Sequence, residues 1–162
     1  MRANQIFAAM PQEQATEFFK KVAEKSPVTF QQAMAAACGA LKIRPVYLRK
    51  QTFEKRATYV RRALSLVNAI GIAEEILAVY FLECRKELLT EWLDLVKIEH
   101  EEGILADEQP AQPDKGELEK AILSFNDKDD DTDRPLLLRA FAAQSAVSWP
   151  DLDNALEDKK PE

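Results

Sequence analysis

Residues Thr29 to Leu41 read TFQQAMAAACGAL, with Phe30, Ala33, Met34, Ala37, Cys38 and Leu41 at offsets 0, 3, 4, 7, 8 and 11. That spacing marks one face of an α-helix; a half-buried strand would alternate apolar and polar residues. Thr29 with Gln32 three residues later has the form of a capping box, so the sequence predicts a helix opening at Thr29.

The same period extends in both directions. Toward the N-terminus a short helix holds Ile6, Phe7 and Met10, and Pro11 opens a second that carries Phe18, Phe19 and Val22 up to Lys25-Ser26-Pro27. Downstream, a helix from Thr52 to Asn68 places Phe53, Ala57, Val60, Leu64 and Val67 on one stripe. Ile76 to Leu82, ILAVYFL, is apolar on all sides, the pattern expected of the central helix of a bundle. Leu88, Leu89, Trp92, Leu93 and Val96 continue the helical pattern, in the same helix or after a break near Thr90. Three shorter helices follow: Glu117 to Ser124, one with Asp133 as its cap and Pro135 in its first turn, and one opened by a second capping box, Ser148-Trp149-Pro150-Asp151.

The expected fold class is therefore all-α, a multi-helix bundle or α-superhelical stack of antiparallel helices with a small helical C-terminal part. Residues 1–105 read as the main helical domain and ADEQPAQPDKG, Ala106 to Gly116, as an acidic, Pro-containing linker or loop. Residues 117–158 read as a short helical segment docked on the main domain, and 159–162 as a frayed tail.

Composition sets the class of protein. A chain of 162 residues, 46% hydrophobic and 31% charged with four glycines, can bury a sizeable core of its own. Asn4, Gln5 and Pro11 interrupt the first residues before a signal-peptide core develops, and no run approaches a membrane span, so a cytoplasmic location and no membrane association are expected. Cys38 and Cys84 lie in apolar helical patterns without any CxxC, which suits small buried hydrophobes in a reducing compartment.

Charge is distributed unevenly. Leu41 to Arg62, LKIRPVYLRKQTFEKRATYVRR, holds eight Lys or Arg, and residues 42–62 carry +7 in a chain whose net charge is −6; residues 91–162 carry −12. A split of this size concerns partners, or two parts of the fold that face each other. Gln31, Ala35 and Gly39 follow the spacing of a helix-turn-helix, although Pro45 stands where a buried aliphatic is wanted and Val46 is its neighbour. On that reading Arg44, Tyr47, Arg49 and Lys50 open a recognition helix, with Lys55, Arg56, Arg61 and Arg62 behind them, all facing nucleic acid or another anionic partner. The alternative is a solvated face whose aliphatic stems cover apolar surface. RPVYLR at Arg44 and RPLLLR at Arg134 share a pattern, which is read as two similar helix openings.

No residue pattern specifies a chemistry. Asp127, Asp129, Asp131 and Asp133 alternate like the start of a calcium loop, but Thr132 stands where Gly is needed and Leu138 where a bidentate Glu should close the shell. His100, the only histidine, lies among Glu99, Glu101 and Glu102 without a second imidazole, and reads as a polar group at a helix end. GxSxG, GxGxxG and P-loop patterns are missing. Trp92 and Trp149, flanked by Leu at helical spacing, are expected in the core. The sequence thus predicts a non-enzymatic helical interaction protein, an adaptor or regulatory subunit with a protein partner and with no cofactor, metal or catalytic residue. The alternative is a nucleic-acid-binding regulator that uses the basic segment at residues 30–62.

Overall fold

The computed structural model describes residues 2–128 and 131–157. Among them the backbone is helical almost throughout, and the all-α class expected from periodicity holds. The chain separates into two compact units, Arg2–Cys84 and Arg85–Glu162. The division falls at Arg85, twenty residues before the boundary expected at 105.

In the N-terminal unit, α1 (Ala3–Ala9), α2 (Gln12–Lys25), α3 (Pro27–Leu41), α4 (Pro45–Arg49), α5 (Phe53–Leu64) and α6 (Ile70–Val79) follow one another, and a π-helical turn, Tyr80–Cys84, continues α6. Helix α3 packs on α2 and α5, α1 packs on α5 and α6, and α2 also meets the π turn. Their shared core is aromatic. Phe18 lies across Phe7 and Phe19 at ring-centroid distances of 5.6 and 5.2 Å and stacks on Tyr80 at 4.1 Å. Such pairs add to the burial of their large apolar area.

Helix α3 begins at Pro27, not at Thr29. Pro27 needs no amide partner in the first turn, so Ser26 takes the cap position and the Thr29 hydroxyl bonds the Ser26 hydroxyl at 2.7 Å. Helix α5 does open at Thr52, whose hydroxyl accepts the Lys55 amide. It ends at Leu64, short of the expected Asn68, and leaves Val67 71% exposed off the end of the stripe.

The C-terminal unit comprises α7 (Lys86–Leu95), a hairpin of β1 (His100–Glu101) and β2 (Ile104–Leu105), α8 (Lys115–Asn126), α9 (Asp133–Ala142) and α10 (Pro150–Glu157). The helical pattern of residues 72–96 is thus two helices, broken at Arg85 rather than Thr90. The hairpin has no precursor in the periodicity. Lys97 in left-handed conformation ends α7, with the Ile98 amide returning to the Leu93 carbonyl, and Glu102 and Gly103, both at positive φ, make the two-residue turn.

Trp92 and Trp149 are core residues, as expected. Trp92 meets Phe125 and Phe141, and Phe141 meets Trp149. Helix α9 is the enclosed one: Leu136, Leu137, Leu138, Ala140, Phe141 and Ala142 are all buried, whereas Ala78, Val79 and Leu82 of the stretch expected to be central stay half exposed. The segment expected as an acidic linker or loop is a loop tied at two points. Pro110 is buried and accepts the Trp149 indole N–H at 2.8 Å, and Gln112 bonds both the Asp151 amide and its carboxylate. Gln112 therefore does the work expected of a capping box at Ser148, and α10 starts at Pro150. The tail expected to fray, 159–162, lies outside the described residues.

Ion pairs stitch this unit. Arg85 meets Asp131 and Asp133, each at 2.6 Å, and buried Arg134 pairs with Glu91, accepted also by the Phe125 carbonyl and seated over the Phe125 ring. Asp133, expected as a helix cap, is the first residue of α9 and is buried against Arg85. The Arg85 hydrogen bond holds the Asp131 carboxyl below its usual range against the opposing effect of burial. For Glu91 burial works upward, but hydrogen bonds from Lys128 and Arg134 outweigh it and bring the carboxyl down. Both groups are depressed on folding, so their contribution is present above about pH 4 and is lost as pH falls through the folded values. Thermal melts at neutral pH and at about pH 3 are expected to show this acid loss. Arg134→Met is expected to cost about 3 kcal/mol by urea titration at neutral pH, because it leaves Glu91 half-buried with Lys128 alone.

Candidate functional site

The basic segment belongs wholly to the N-terminal unit, which carries +5, while Arg85–Glu162 carries −11. Helix α5 supplies its frame. Ala57, Val60, Ala63 and Leu64 are fully buried, so the helical period turns Lys55 and Arg62 to solvent and leaves Arg56 and Arg61 at the margins. Leu48 anchors α4 in the same way and leaves Arg44, Val46, Tyr47, Arg49 and Lys50 exposed around it.

The helix-turn-helix geometry is absent here. Gly39 lies inside α3, and the left-handed turn residue is Lys42, with the Ile43 amide returning to the Cys38 carbonyl. The buried aliphatic is Leu48, not Val46, which is 54% exposed. Helix α4 has five residues, too short to lie along a major groove as a recognition helix. The shared pattern at Arg44 and Arg134 also diverges: Arg44 is exposed, Arg134 buried and paired.

The eight candidates divide by what they touch. Arg61 is internal: its guanidinium bonds the carbonyls of Phe7 and Met10 at the end of α1 and the Gln12 side chain. Arg56 lies over the Phe53 ring at 5.3 Å, and its Nε is buried with no acceptor among the described residues. Arg49 reaches the Pro45 carbonyl through Nε. Tyr47 meets Tyr59, a residue that periodicity did not single out. The neighbouring Tyr47 phenol raises Tyr59 above its ordinary value, with Lys55 and Arg62 pulling the other way. Among the described residues none of Arg44, Arg49, Lys50, Lys55, Arg56, Arg61 and Arg62 forms a salt bridge.

Beside these cations a groove of about 580 Å³ opens between α3 and α4. Phe30, Met34, Ala35 and Cys38 line it together with Arg49 and Arg56. Phe30, Met34 and Cys38 were legible as one helix stripe, of which Met34 and Cys38 are only half-buried; Ala35 lies off that stripe. Cys84 is also half-buried, and its thiol donates to the Lys21 carbonyl at 3.5 Å.

The remaining candidates have structural roles. His100 is in the hairpin, not at a helix end; its Nδ1 accepts the Gly103 amide, which leaves Nε2 as the donor to Asp94 at 2.7 Å. Asp131 and Asp133 engage Arg85, Asp129 lies outside the described residues, and among the described residues no cluster of three or more His, Cys, Asp or Glu could hold a metal ion. No single helix among them is long and apolar enough to cross a membrane; Phe53–Leu64 and Val67–Cys84 pass together but bend by 98°.

No protein-family model, no curated protein and no solved structure matches the chain.

The contrast between neighbouring arginines is measurable. Arg61→Ala is expected to cost about 2 kcal/mol in urea unfolding because it leaves the α1 carbonyls without their charged donor, and Arg62→Ala within about 0.5 kcal/mol. Tyr47→Phe is expected to lower the Tyr59 phenol toward its ordinary value, read by ultraviolet titration of the phenolate.

Proposed function

We propose that the protein is a non-enzymatic helical interaction protein, an adaptor or regulatory subunit of the cytoplasm, whose N-terminal unit holds an acidic protein partner. The observation that carries this reading is the set of cations on α4 and α5 that no carboxylate of the described chain pairs. Like charges gathered on one face repel each other, and a partner of opposite sign both relieves the repulsion and is steered to it. The apolar groove beside them favours a protein over a nucleic acid, since phosphates gain nothing from Met34 or Phe30. Cys38 and Cys84 are not disulfide-bonded to each other, which accords with a reducing compartment. The non-enzymatic part rests on the lone His100 having both ring nitrogens engaged.

Nucleic acid is the second reading, favoured by Tyr47, which is half exposed among Arg44, Arg49 and Lys50 and offers a ring for a base to stack on. Salt titration of binding to labelled polyglutamate and to single-stranded and duplex oligonucleotides separates the two. The comparison is between the natural chain and a variant with Arg44, Arg49, Lys50 and Arg62 changed to Gln, leaving Arg61 to hold α1. Polyglutamate binding that the variant loses is expected. Oligonucleotide binding with a log-log salt slope near one per phosphate contact, also lost in the variant and stronger than polyglutamate binding, would transfer the function to nucleic acid. No binding of either probe at low salt would make the face a solvated one.

A further inference from the structure

The groove between α3 and α4 combines features that a solvated helix face does not need. Part of its lining is apolar and open: Ala35 is exposed, Met34 and Cys38 are half-buried, and Phe30 is buried beside them. Its volume of about 580 Å³ lies within the range of sites that take a ligand or a few side chains. Two guanidiniums, of Arg49 and Arg56, line it, and among the described residues neither meets a carboxylate.

We propose that this groove binds a segment of a partner protein in which an apolar side chain is followed within about one helical turn by a carboxylate. The apolar side chain fills the space over Met34 and Ala35, and the carboxylate meets Arg49 and Arg56 at the edge. The charges choose the occupant. A basic or neutral apolar segment would bury the Arg56 stem and leave its guanidinium unanswered, whereas a carboxylate accepts from it in the strong, directional geometry that guanidinium favours. Exclusion of water by the apolar side chain strengthens that pair. Phe53, stacked under Arg56, holds the guanidinium at the rim rather than letting it swing into solvent. This proposal rests on the acidic-partner reading above and narrows it to one groove and one kind of segment.

The test is selection from a displayed library of random short peptides against the full chain, followed by fluorescence polarisation of the enriched peptides. Enrichment of sequences that pair Leu, Ile, Phe or Met with a nearby Asp or Glu is expected. Ala35→Trp, an exposed helix position, fills the groove without touching the core and is expected to abolish their binding. Arg49→Glu is expected to weaken it roughly tenfold or more, the effect of losing a charge-assisted hydrogen bond. Melting curves of both variants verify that they fold.

Enriched peptides that bind Ala35→Trp as well as the natural chain overturn the groove. If the variant with Arg44, Lys50 and Arg62 changed to Gln loses those peptides instead, the basic face stands and only the groove falls. If neither set of variants matters, or if the enriched sequences lack acids, both readings fall. Sedimentation that shows a concentration-dependent dimer abolished by Ala35→Trp would assign the groove to a second copy of the chain and overturn the partner proposal.

Discussion

The anchoring of α5 by Ala57, Val60, Ala63 and Leu64 is the constraint from which the basic surface follows. These side chains are buried to 1% exposure or less, and α5 packs on both α2 and α3, so its rotation about its own axis is set by close packing. With that rotation set, the other side of the helix must carry Lys55 and Arg62, and Arg56 must sit at the boundary. Leu48 does the same for α4 with a single side chain, which is enough for five residues. The cations are therefore a consequence of where the apolar residues go. What is not a consequence of packing is that no acid was placed among them except Glu54.

The two units treat their charges in opposite ways. In Arg85–Glu162, where acids outnumber bases, Arg85, Lys86, Lys128 and Arg134 each hold a carboxylate, and Arg134 does so while buried. A buried arginine needs such a partner because an unpaired ion in that setting costs several kcal/mol, on the order of the whole stability of a small unit. In Arg2–Cys84 the cations of α4 and α5 are exposed or marginal, so solvation substitutes for pairing and the fold tolerates their isolation. Arg61 is the exception. It has given up the surface to close the end of α1, where backbone carbonyls take the place of a carboxylate.

Much of this was present in the linear sequence. The 3.6-residue period determined that the chain is helical, that Phe18, Phe19, Val60, Leu64, Trp92 and Trp149 are core, and that Lys55 and Arg62 lie off the stripe, because a helix maps residue spacing directly onto faces. Composition determined that charge is polarised along the chain. The period also placed the start of α5 at Thr52.

What required the tertiary structure were choices between partners far apart in sequence. Arg61 and Arg62 are chemically the same, and only the position of α1 makes one a strut and the other a surface charge. Arg44 and Arg134 stand in the same six-residue pattern, and only the meeting with Glu91 and Phe125 buries the second. Gln112 displaces Ser148 as the cap of α10 because the linker folds back onto Trp149, and Met34 stays half-open in the groove it shares with Pro45 and Arg49 of α4. Spacing along the chain carries the energetics of near neighbours; the burial, pairing and grooves that define a site are set by contacts across many tens of residues, and those exist only once the helices have packed.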